Sequence, residues 1–266
     1  MKEPLFDFKN RVVVVTGGTS GIGEGVSQIF HDLNAKVVLL GRDRKKGGAL
    51  ARNLDKNFKE VLYFSCDVAN EKELKRVKTE IVRRWKKIDV LVTCAAAPAA
   101  VGKTESLSFQ KWRSVLQTDL DGVFLSCKVF GGEMLKKRYG RIVNLTSFHT
   151  VATYPERAAY NAAKSGVQGL THALAVEWGS YGVTVNAVAP GPIETPRTNW
   201  FLSQDPLMKK GMIGRTPTAR IGQVKDVACL VAFLASENAS HINGEQIVID
   251  GGWSHSSWWG KHERKY

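Results

Sequence analysis

A tyrosine and a lysine four residues apart could exchange a proton with a bound substrate. Tyr160 and Lys164 lie near the start of a segment with helical periodicity, residues 158–178, and residues four apart share one helix face. An ammonium close to a phenol stabilises the phenolate, so Tyr160 could donate and accept a proton near neutral pH. The pair alone is weak evidence, because this composition gives about one tyrosine with a basic residue four positions later by chance.

A serine thirteen residues before Tyr160 adds a second reactive group. Ser147 follows the apolar run 142–145, which has the length of a buried strand. In open α/β sheets, ligands bind in the crevice at the carboxyl ends of the strands. The Ser147 hydroxyl is therefore predicted to face that crevice, with a turn hydroxyl that bonds its own backbone as the alternative.

A glycine-rich segment near the N-terminus has the pattern of a dinucleotide-binding loop. The apolar run 12–15 leads into Gly17, and Gly21 and Gly23 open a predicted helix over about 22–33. Glycines allow the backbone N–H groups at a helix N-terminus to approach a pyrophosphate closely. Because a second apolar run follows at 37–40, the pattern predicts a nicotinamide dinucleotide site.

The end of the second predicted strand indicates which coenzyme binds. Gly41 stands at the strand end, and Arg42 follows it with further basic residues at 44–46. An arginine here can accept the 2′-phosphate of NADP, whereas an acid would bind the ribose hydroxyl of NAD. Asp43 could be that acid by spacing, but it precedes a helical stretch, where aspartate favours the N-cap. We therefore expect NADP, with NAD as the alternative.

The elements that must position these groups recur along the chain. Seven short runs rich in Val, Ile and Leu show little polar alternation, as do strands buried on both faces of a parallel sheet. They lie at 12–15, 37–40, 61–64, 90–92, 142–145, 183–188 and 247–249, and helical periodicity appears at 74–85, 158–178 and 226–235. The alternation predicts an α/β fold with a doubly wound parallel sheet and helices on both faces, in one domain over residues 1–266.

One long segment shows no clear periodicity. Residues 190–222 contain five prolines and several large apolar side chains. Long irregular segments in compact domains are often functional, so we expect a substrate lid at about 193–215, with an ordinary surface excursion as the alternative. An aromatic and methionine lining would suit a mainly apolar substrate. The aromatic and methionine residues of this segment are Trp200, Phe201, Met208 and Met212.

Composition limits the classes of protein. Hydrophobic residues make up 43% and charged residues 24%, which excludes a disordered chain. The net charge of +13 attracts polyanions, but no nucleic-acid motif accompanies it, and the basic residues of 72–87 fit the solvated face of a helix. We expect no nucleic-acid partner.

The same composition bears on location and metals. No run approaches the ~18 apolar residues of a membrane span, and the N-terminus has no signal-peptide pattern. We therefore expect no membrane contact and a cytoplasmic location. Four scattered cysteines form no Cys/His cluster, so no metal site is expected.

Taken together, the motifs resemble those of the short-chain dehydrogenases/reductases over about residues 8–253. The segment 16–23 matches their TGxxxGxG loop, and Ser147, Tyr160 and Lys164 match their catalytic set at its usual spacing. Segments 186–193 and 250–252 match two further signatures. The resemblance implies a Rossmann fold with a seven-stranded parallel sheet, hydride transfer with a nicotinamide, and usually a homotetramer or homodimer. The Trp-rich tail at about 253–266 also suggests an oligomer, with packing on its own subunit as the alternative.

The resemblance implies roles for individual residues. Tyr160 would be the acid/base, Ser147 would hold the substrate oxygen, and Lys164 would bind the nicotinamide ribose and tune Tyr160. The implied cofactor-binding residues are Gly17, Thr19, Ser20, Gly21, Ile22, Gly23, Arg42, Asp67, Val68, Ala95, Ala96, Tyr160, Lys164, Pro190, Gly191, Ile193 and Thr195.

Two positions depart from the family pattern. The family's Asn-Asn-Ala-Gly segment is replaced by residues 93–96, where Cys94 stands for a structural amide and Ala96 adds a methyl group. Asp119 occupies the place of a catalytic asparagine, and a carboxylate cannot donate as an amide does. If ionised near Lys164, Asp119 would favour the ammonium, which puts the family's usual proton relay in question.

Three functions are compatible with these observations. The first is an NADP-dependent oxidoreductase that acts on a small-molecule ketone or secondary alcohol, with a 3-oxoacyl thioester among the candidates. The second is a 2,4-dienoyl-CoA or enoyl-CoA reductase, because segments 95–96, 177–179, 191–194 and 212–215 resemble those enzymes, although they generally lack a tyrosine at position 160. The third is a non-catalytic protein that binds a dinucleotide or another polyanion.

Overall fold

A parallel seven-stranded sheet forms the centre of the structure. The computed structural model describes residues 6–98 and 100–256. Within those ranges the strands are β1 (Val12–Thr16), β2 (Lys36–Gly41), β3 (Val61–Ser65), β4 (Val90–Thr93), β5 (Gly140–Leu145), β6 (Val183–Pro190), β7 (Ile193–Glu194), β8 (Gly222–Gln223) and β9 (Gln246–Ile249). The sheet order is β3-β2-β1-β4-β5-β6-β9, and β7 and β8 pair separately. Because the order reverses between β1 and β4, a crevice opens there at the carboxyl ends of the strands.

Helices cover both faces of this sheet. They are α1 (Gly21–Asp32), α2 (Arg44–Leu54), α3 (Glu71–Trp85), α4 (Phe109–Leu116), α5 (Gly122–Lys137), α6 (Ala158–Trp178), α7 (Pro196–Gln204), α8 (Pro206–Arg215) and α9 (Val224–Leu234). One apolar core joins the sheet to α1, α2 and α9, and a second joins it to α3, α5 and α6. The strands are therefore buried on both sides, which explains their continuous apolar sequence.

The predicted fold class is confirmed. Each of the seven apolar runs lies in a different strand of the central sheet, and every neighbouring pair of strands is parallel. The predicted N-cap role of Asp43 also agrees with the structure, since its side chain accepts from the N–H of Lys46 at the start of α2.

The segment expected to lack regular structure contains α7 and α8. Pro196 and Pro206 occupy the first turn of these helices, where a missing N–H costs nothing. Thr195 and Asp205 cap them by accepting from backbone N–H groups. The sequence gives no clear period here because apolar side chains are not confined to a buried face: Trp200 is 66% exposed. The substrate lid at about 193–215 stays a prediction. The side chain of Phe201 is not among the parts of the chain that the structure describes.

Candidate active site

A cavity of about 580 Å³ lies at the carboxyl ends of the strands beside the glycine-rich loop. Gly17 has φ +63°, and a Cβ placed on it would lie 2.7 Å from the backbone of Ala95 on the opposite wall. A Cβ on Gly23 would lie 2.2 Å from the carbonyl oxygen of Gly17. Only glycine fits both positions, and the loop leads directly into α1, so this cradle fits a dinucleotide pyrophosphate.

Most of the predicted cofactor-binding residues line this cavity. Those on its wall are Gly17, Thr19, Ser20, Gly21, Ile22, Gly23, Arg42, Asp67, Val68, Ala95, Ala96 and Thr195. The others lie on α6, at the end of β6 and in the residues that follow β6. Pro190 ends β6, Gly191 follows it, and Ile193 is buried at the start of β7.

The charges on the cavity wall favour an anionic ligand. Arg42, Lys46 and Arg197 contribute three cations. The wall also has two carboxylates, and each already accepts a backbone N–H: Asp43 caps α2, and Asp67 bonds within its own loop at 3.0 Å. The cationic side chains thus have more capacity left to bind a ligand than the carboxylates, which already accept hydrogen bonds from the backbone.

Ser147, Tyr160 and Lys164 are brought to the end of β5. Ser147 follows the strand and is 5% exposed, and its hydroxyl accepts from the N–H of His149 at 3.3 Å. Tyr160 lies in the first turn of α6, one turn before Lys164. The Lys164 Nζ donates to the carbonyl oxygen of Leu145 at 2.9 Å and lies 5.7 Å from the Tyr160 ring centre. Helix α6 and strand β5 together thus fix the ammonium near the phenol.

An irregular helical turn holds Asp119 close to Lys164. Residues Gln117–Asp121 form a π turn between α4 and α5, a feature often found at functional sites. Asp119 is fully buried, and its Oδ1 accepts from the N–H of Ala97 at 2.6 Å. Its Oδ2 lies 3.9 Å from the Lys164 Nζ. Burial raises the pKa of Asp119, while Lys164 and the Ala97 N–H oppose that rise.

Sequence reasoning missed Arg197. This side chain extends from α7 to the opposite wall of the cavity, where its Nη1 donates to the carbonyl oxygen of Ala97 at 3.1 Å. The peptide groups around Ala97 are thus held on one side by Asp119 and on the other by Arg197. Its position two residues after Thr195, a predicted cofactor-binding residue, could have indicated that Arg197 lies near the cavity. No periodicity indicated that α7 would face the cavity.

Cys94 lies behind the glycine-rich loop. Its backbone N–H donates to the carbonyl oxygen of Thr16, and a Cβ on Gly23 would lie 3.2 Å from the Cys94 Cβ. Burial raises the pKa of its thiol to about 12 despite the nearby Lys164. Cys94 is therefore a neutral packing residue and not a nucleophile.

An aromatic cluster packs beside Tyr160. We define the cluster as Phe148, His149, Tyr154 and Trp253, whose rings contact one another. The ring of His149 also lies edge-on to that of Tyr160, with centroids 5.5 Å apart. Trp253 is 2% exposed, so this part of the Trp-rich tail packs on its own chain, while residues 257–266 lie outside the described residues.

Two further observations concern metals and membranes. In the part of the chain that the structure describes, no group of three His, Cys, Asp or Glu side chains could hold a metal ion. No helix there is both long and apolar enough to cross a bilayer.

The fold and the site together define a nicotinamide-dependent oxidoreductase. A doubly wound sheet with a glycine-lined cavity at its switch point is the architecture of dinucleotide-binding enzymes, and the serine, tyrosine and lysine lie at the same edge. Residues 17–254 match a family described as enoyl-(acyl carrier protein) reductase. The chain belongs to the short-chain dehydrogenase/reductase family, which confirms the resemblance found in the sequence.

Its relatives are dehydrogenases and reductases. The chain is 34% identical to D-threitol dehydrogenase of Mycolicibacterium smegmatis, covering 94% of this chain and 95% of that protein. It is 36% identical to the 3-oxoacyl-[acyl-carrier-protein] reductase FabG of Staphylococcus epidermidis, covering 91% and 98%. A gluconate 5-dehydrogenase from Burkholderia cenocepacia, crystallised with NADP and tartrate, superposes with a TM-score of 0.89 at 28% identity, covering 94% of this chain and 98% of that one.

Proposed function

We propose that this protein is an NADP-dependent oxidoreductase that interconverts a ketone and a secondary alcohol. The observation that carries the proposal is the position of Tyr160, one helical turn before a buried Lys164 whose ammonium is fixed on the end of β5. A phenol beside a lysine side chain, at the edge of a dinucleotide cavity, is suited to move a proton to or from a substrate oxygen.

Each residue of the group has a distinct part. The bound nicotinamide would supply or accept the hydride. Tyr160 donates the proton to the carbonyl oxygen in reduction and takes it back in oxidation. Ser147 donates a hydrogen bond that orients the same oxygen, and Lys164 maintains the positive charge next to the phenol. Asp119 accepts from the Ala97 N–H and places its second carboxylate oxygen 3.9 Å from the Lys164 Nζ.

The preference for NADP is supported by the end of β2. A Cβ on Gly41 would lie 2.7 Å from the Thr19 Oγ1, so an acidic side chain at the strand end would have to displace Thr19. Arg42 and Lys46 line the cavity close by, and Asp43 is engaged as a helix cap. The gluconate 5-dehydrogenase relative was crystallised with NADP, which agrees with this preference.

The substrate is best tested directly. Relatives named for threitol oxidation and for 3-oxoacyl reduction favour a carbonyl or alcohol centre, while the description of the matching family favours reduction of a carbon–carbon double bond. Tyr160 supports the carbonyl, because its phenol provides a proton for an oxygen atom. We would follow NADPH oxidation with neutral ketones, 3-oxoacyl thioesters and 2,4-dienoyl thioesters. Turnover of dienoyl thioesters alone would replace carbonyl reduction by enoyl reduction.

A homodimer or homotetramer is part of the proposal. Phe124 on α5 and Val176 on α6 are 45% and 85% exposed. They lie on helices that share a cavity of about 300 Å³, which also has Leu135, Leu174 and Trp178 on its wall. An exposed apolar area of this kind suits a second copy of the chain. Light scattering should give a mass of at least twice 29.3 kDa, and a monomer would exclude the oligomer. The cytoplasmic location stays a prediction.

A further inference from the structure

One nitrogen of a partly buried guanidinium lacks a hydrogen-bond partner beside the aromatic cluster. Arg157 directly precedes α6 and stands three residues before Tyr160. Its Nη1 is inaccessible to solvent, and no hydrogen-bond acceptor meets it in the described ranges. An unsatisfied buried donor costs about 1–3 kcal/mol, and more when it is charged. An acceptor on a bound ligand would satisfy this nitrogen.

The charge of Arg157 acts on the side chains next to Tyr160. Burial and, to a smaller extent, the Arg157 charge lower the pKa of His149 to about 4, while Asn161 opposes both. Burial raises the pKa of Tyr154, and Arg215 and Arg157 oppose that rise. Arg157 thus lies within electrostatic reach of two rings of the aromatic cluster, one of which contacts Tyr160. Since His149 is neutral at pH 7, it does not repel a guanidinium.

A second buried donor in the cluster also lacks an acceptor. The indole of Trp253 is 2% exposed, and its Nε1 has no hydrogen-bond partner in residues 6–98 and 100–256. Its ring lies 5.3 Å from that of Tyr154, and the guanidinium of Arg215 stacks 3.8 Å from the centre of the same indole. The surroundings of Tyr154 therefore combine two cations with two unsatisfied donors. An oxygen-rich anion has the chemistry to satisfy both.

We propose that the substrate carries a carboxylate, or a similar anion, which Arg157 binds next to the carbonyl that Tyr160 protonates. This inference rests on the proposed function, because Tyr160 marks the position of the reacting carbonyl. A planar guanidinium can bind a carboxylate through two parallel hydrogen bonds, and the aromatic rings exclude water from that pair. The proposal makes the substrate an oxo acid. A neutral ketone or the ester of the same acid would leave Arg157 unsatisfied.

Matched acids and esters test this assignment. We would compare 3-oxobutanoate, 4-oxopentanoate and 5-oxohexanoate with their methyl esters, because the span between carbonyl and carboxylate has to match the site. For at least one acid, kcat/KM should exceed that of its ester by about tenfold or more, the range for a hydrogen bond to a charged group. Arg157→Gln should remove this preference by lowering the rate on the acid while the rate on the ester changes little. Arg83→Gln, which removes the same charge from an exposed face of α3, should preserve it.

A binding measurement separates this inference from the proposed function. Calorimetry of the three acids with the enzyme–NADP⁺ complex requires no turnover, and Arg157→Gln should weaken binding of the best acid about tenfold or more. If no ketone is reduced but this binding and its loss are observed, the proposed function fails and the anion site stands. If kcat/KM for each ester equals that for its acid, the anion site is wrong. It is also wrong if Arg157→Gln changes the rates on acid and ester by the same factor. Failure of all three acids to bind would also exclude it.

Discussion

The ammonium of Lys164 lies 3.9 Å from the carboxylate of Asp119, and both side chains are buried. They come from different elements, the long helix α6 and the π turn before α5, and they meet below Tyr160. Burial disfavours the ionised form of each group, whereas their proximity favours the charged pair. For Asp119 burial has the larger effect, since the pKa of its carboxyl is raised. A neutral amide in the place of Asp119 would have no such balance, so the carboxylate makes the site sensitive to pH.

Asp119→Asn should change how stability depends on pH. Because the pKa of Asp119 is raised above its ordinary 3.8 in the folded protein, folding takes up a proton between the two values. The contribution of this carboxyl to stability therefore falls as the pH rises through that window. The stability of Asp119→Asn relative to wild type should increase from about pH 4 upwards, as measured by urea unfolding across a pH series. A relative stability that decreases with pH would mean that Lys164 outweighs burial.

Tyr160→Phe should abolish turnover while coenzyme binding remains. In the proposed mechanism the phenol oxygen transfers the proton, whereas the ring of Tyr160 packs on His149 and a phenylalanine ring would do the same. We expect kcat to fall by about 10²–10⁴-fold on a ketone, with the NADPH dissociation constant unchanged by fluorescence titration. Tyr154→Phe removes a phenol from the neighbouring aromatic cluster and should retain activity. Residual activity above about a tenth of wild type would show that another group supplies the proton.

Arg42→Asp should reverse the coenzyme preference. If Arg42 binds the 2′-phosphate as proposed, the substitution would remove a charge-assisted contact worth about 1.5–3 kcal/mol and weaken NADPH binding by roughly ten- to a hundredfold. It also places a carboxylate where it can accept from the ribose hydroxyl of NADH. Lys45→Asp changes the same charge on an exposed residue that does not line the cavity, and it should leave the preference intact. A wild-type enzyme whose kcat/KM for NADH equals that for NADPH would contradict the assignment.

Arg197→Met should loosen the coenzyme. The substitution removes the hydrogen bond that joins α7 to Ala97 across the cavity. One hydrogen bond from a charged donor, partly exposed to solvent, suggests an increase of about tenfold in the NADPH dissociation constant. Stopped-flow measurement should assign the change to faster release. If NADPH binds as tightly to this variant as to wild type, Arg197 does not hold the cavity closed.

Two glycine-to-alanine substitutions should have opposite effects. Gly23→Ala would place a methyl group 2.2 Å from the Gly17 carbonyl oxygen, so the loop must distort and coenzyme binding should be lost. Gly48→Ala lies inside α2 with nothing within 4 Å of the added methyl group. It should raise the free energy of unfolding by about 0.5–1 kcal/mol without affecting binding, as measured by urea unfolding. Equal effects at the two positions would remove the geometric argument for the loop.

The sequence by itself determined the sheet, the coenzyme loop and the type of chemistry. Strands covered on both faces must be continuously apolar, so each run from 12–15 to 247–249 was visible without knowledge of its neighbours. The glycine-rich loop and the Tyr160–Lys164 pair were equally visible, because their spacing is local.

Only the tertiary structure decided which distant groups meet at the site. Arg197 reaches Ala97, 100 residues away in the sequence, and Asp119 reaches the same residue from a π turn that no periodicity indicated. The sequence does not distinguish Arg157 from other arginines, because the burial of its Nη1 without an acceptor depends on long-range packing. Local sequence encodes local geometry, but the burial and pairing of charges depend on long-range packing, and that packing decides which of them can bind a ligand.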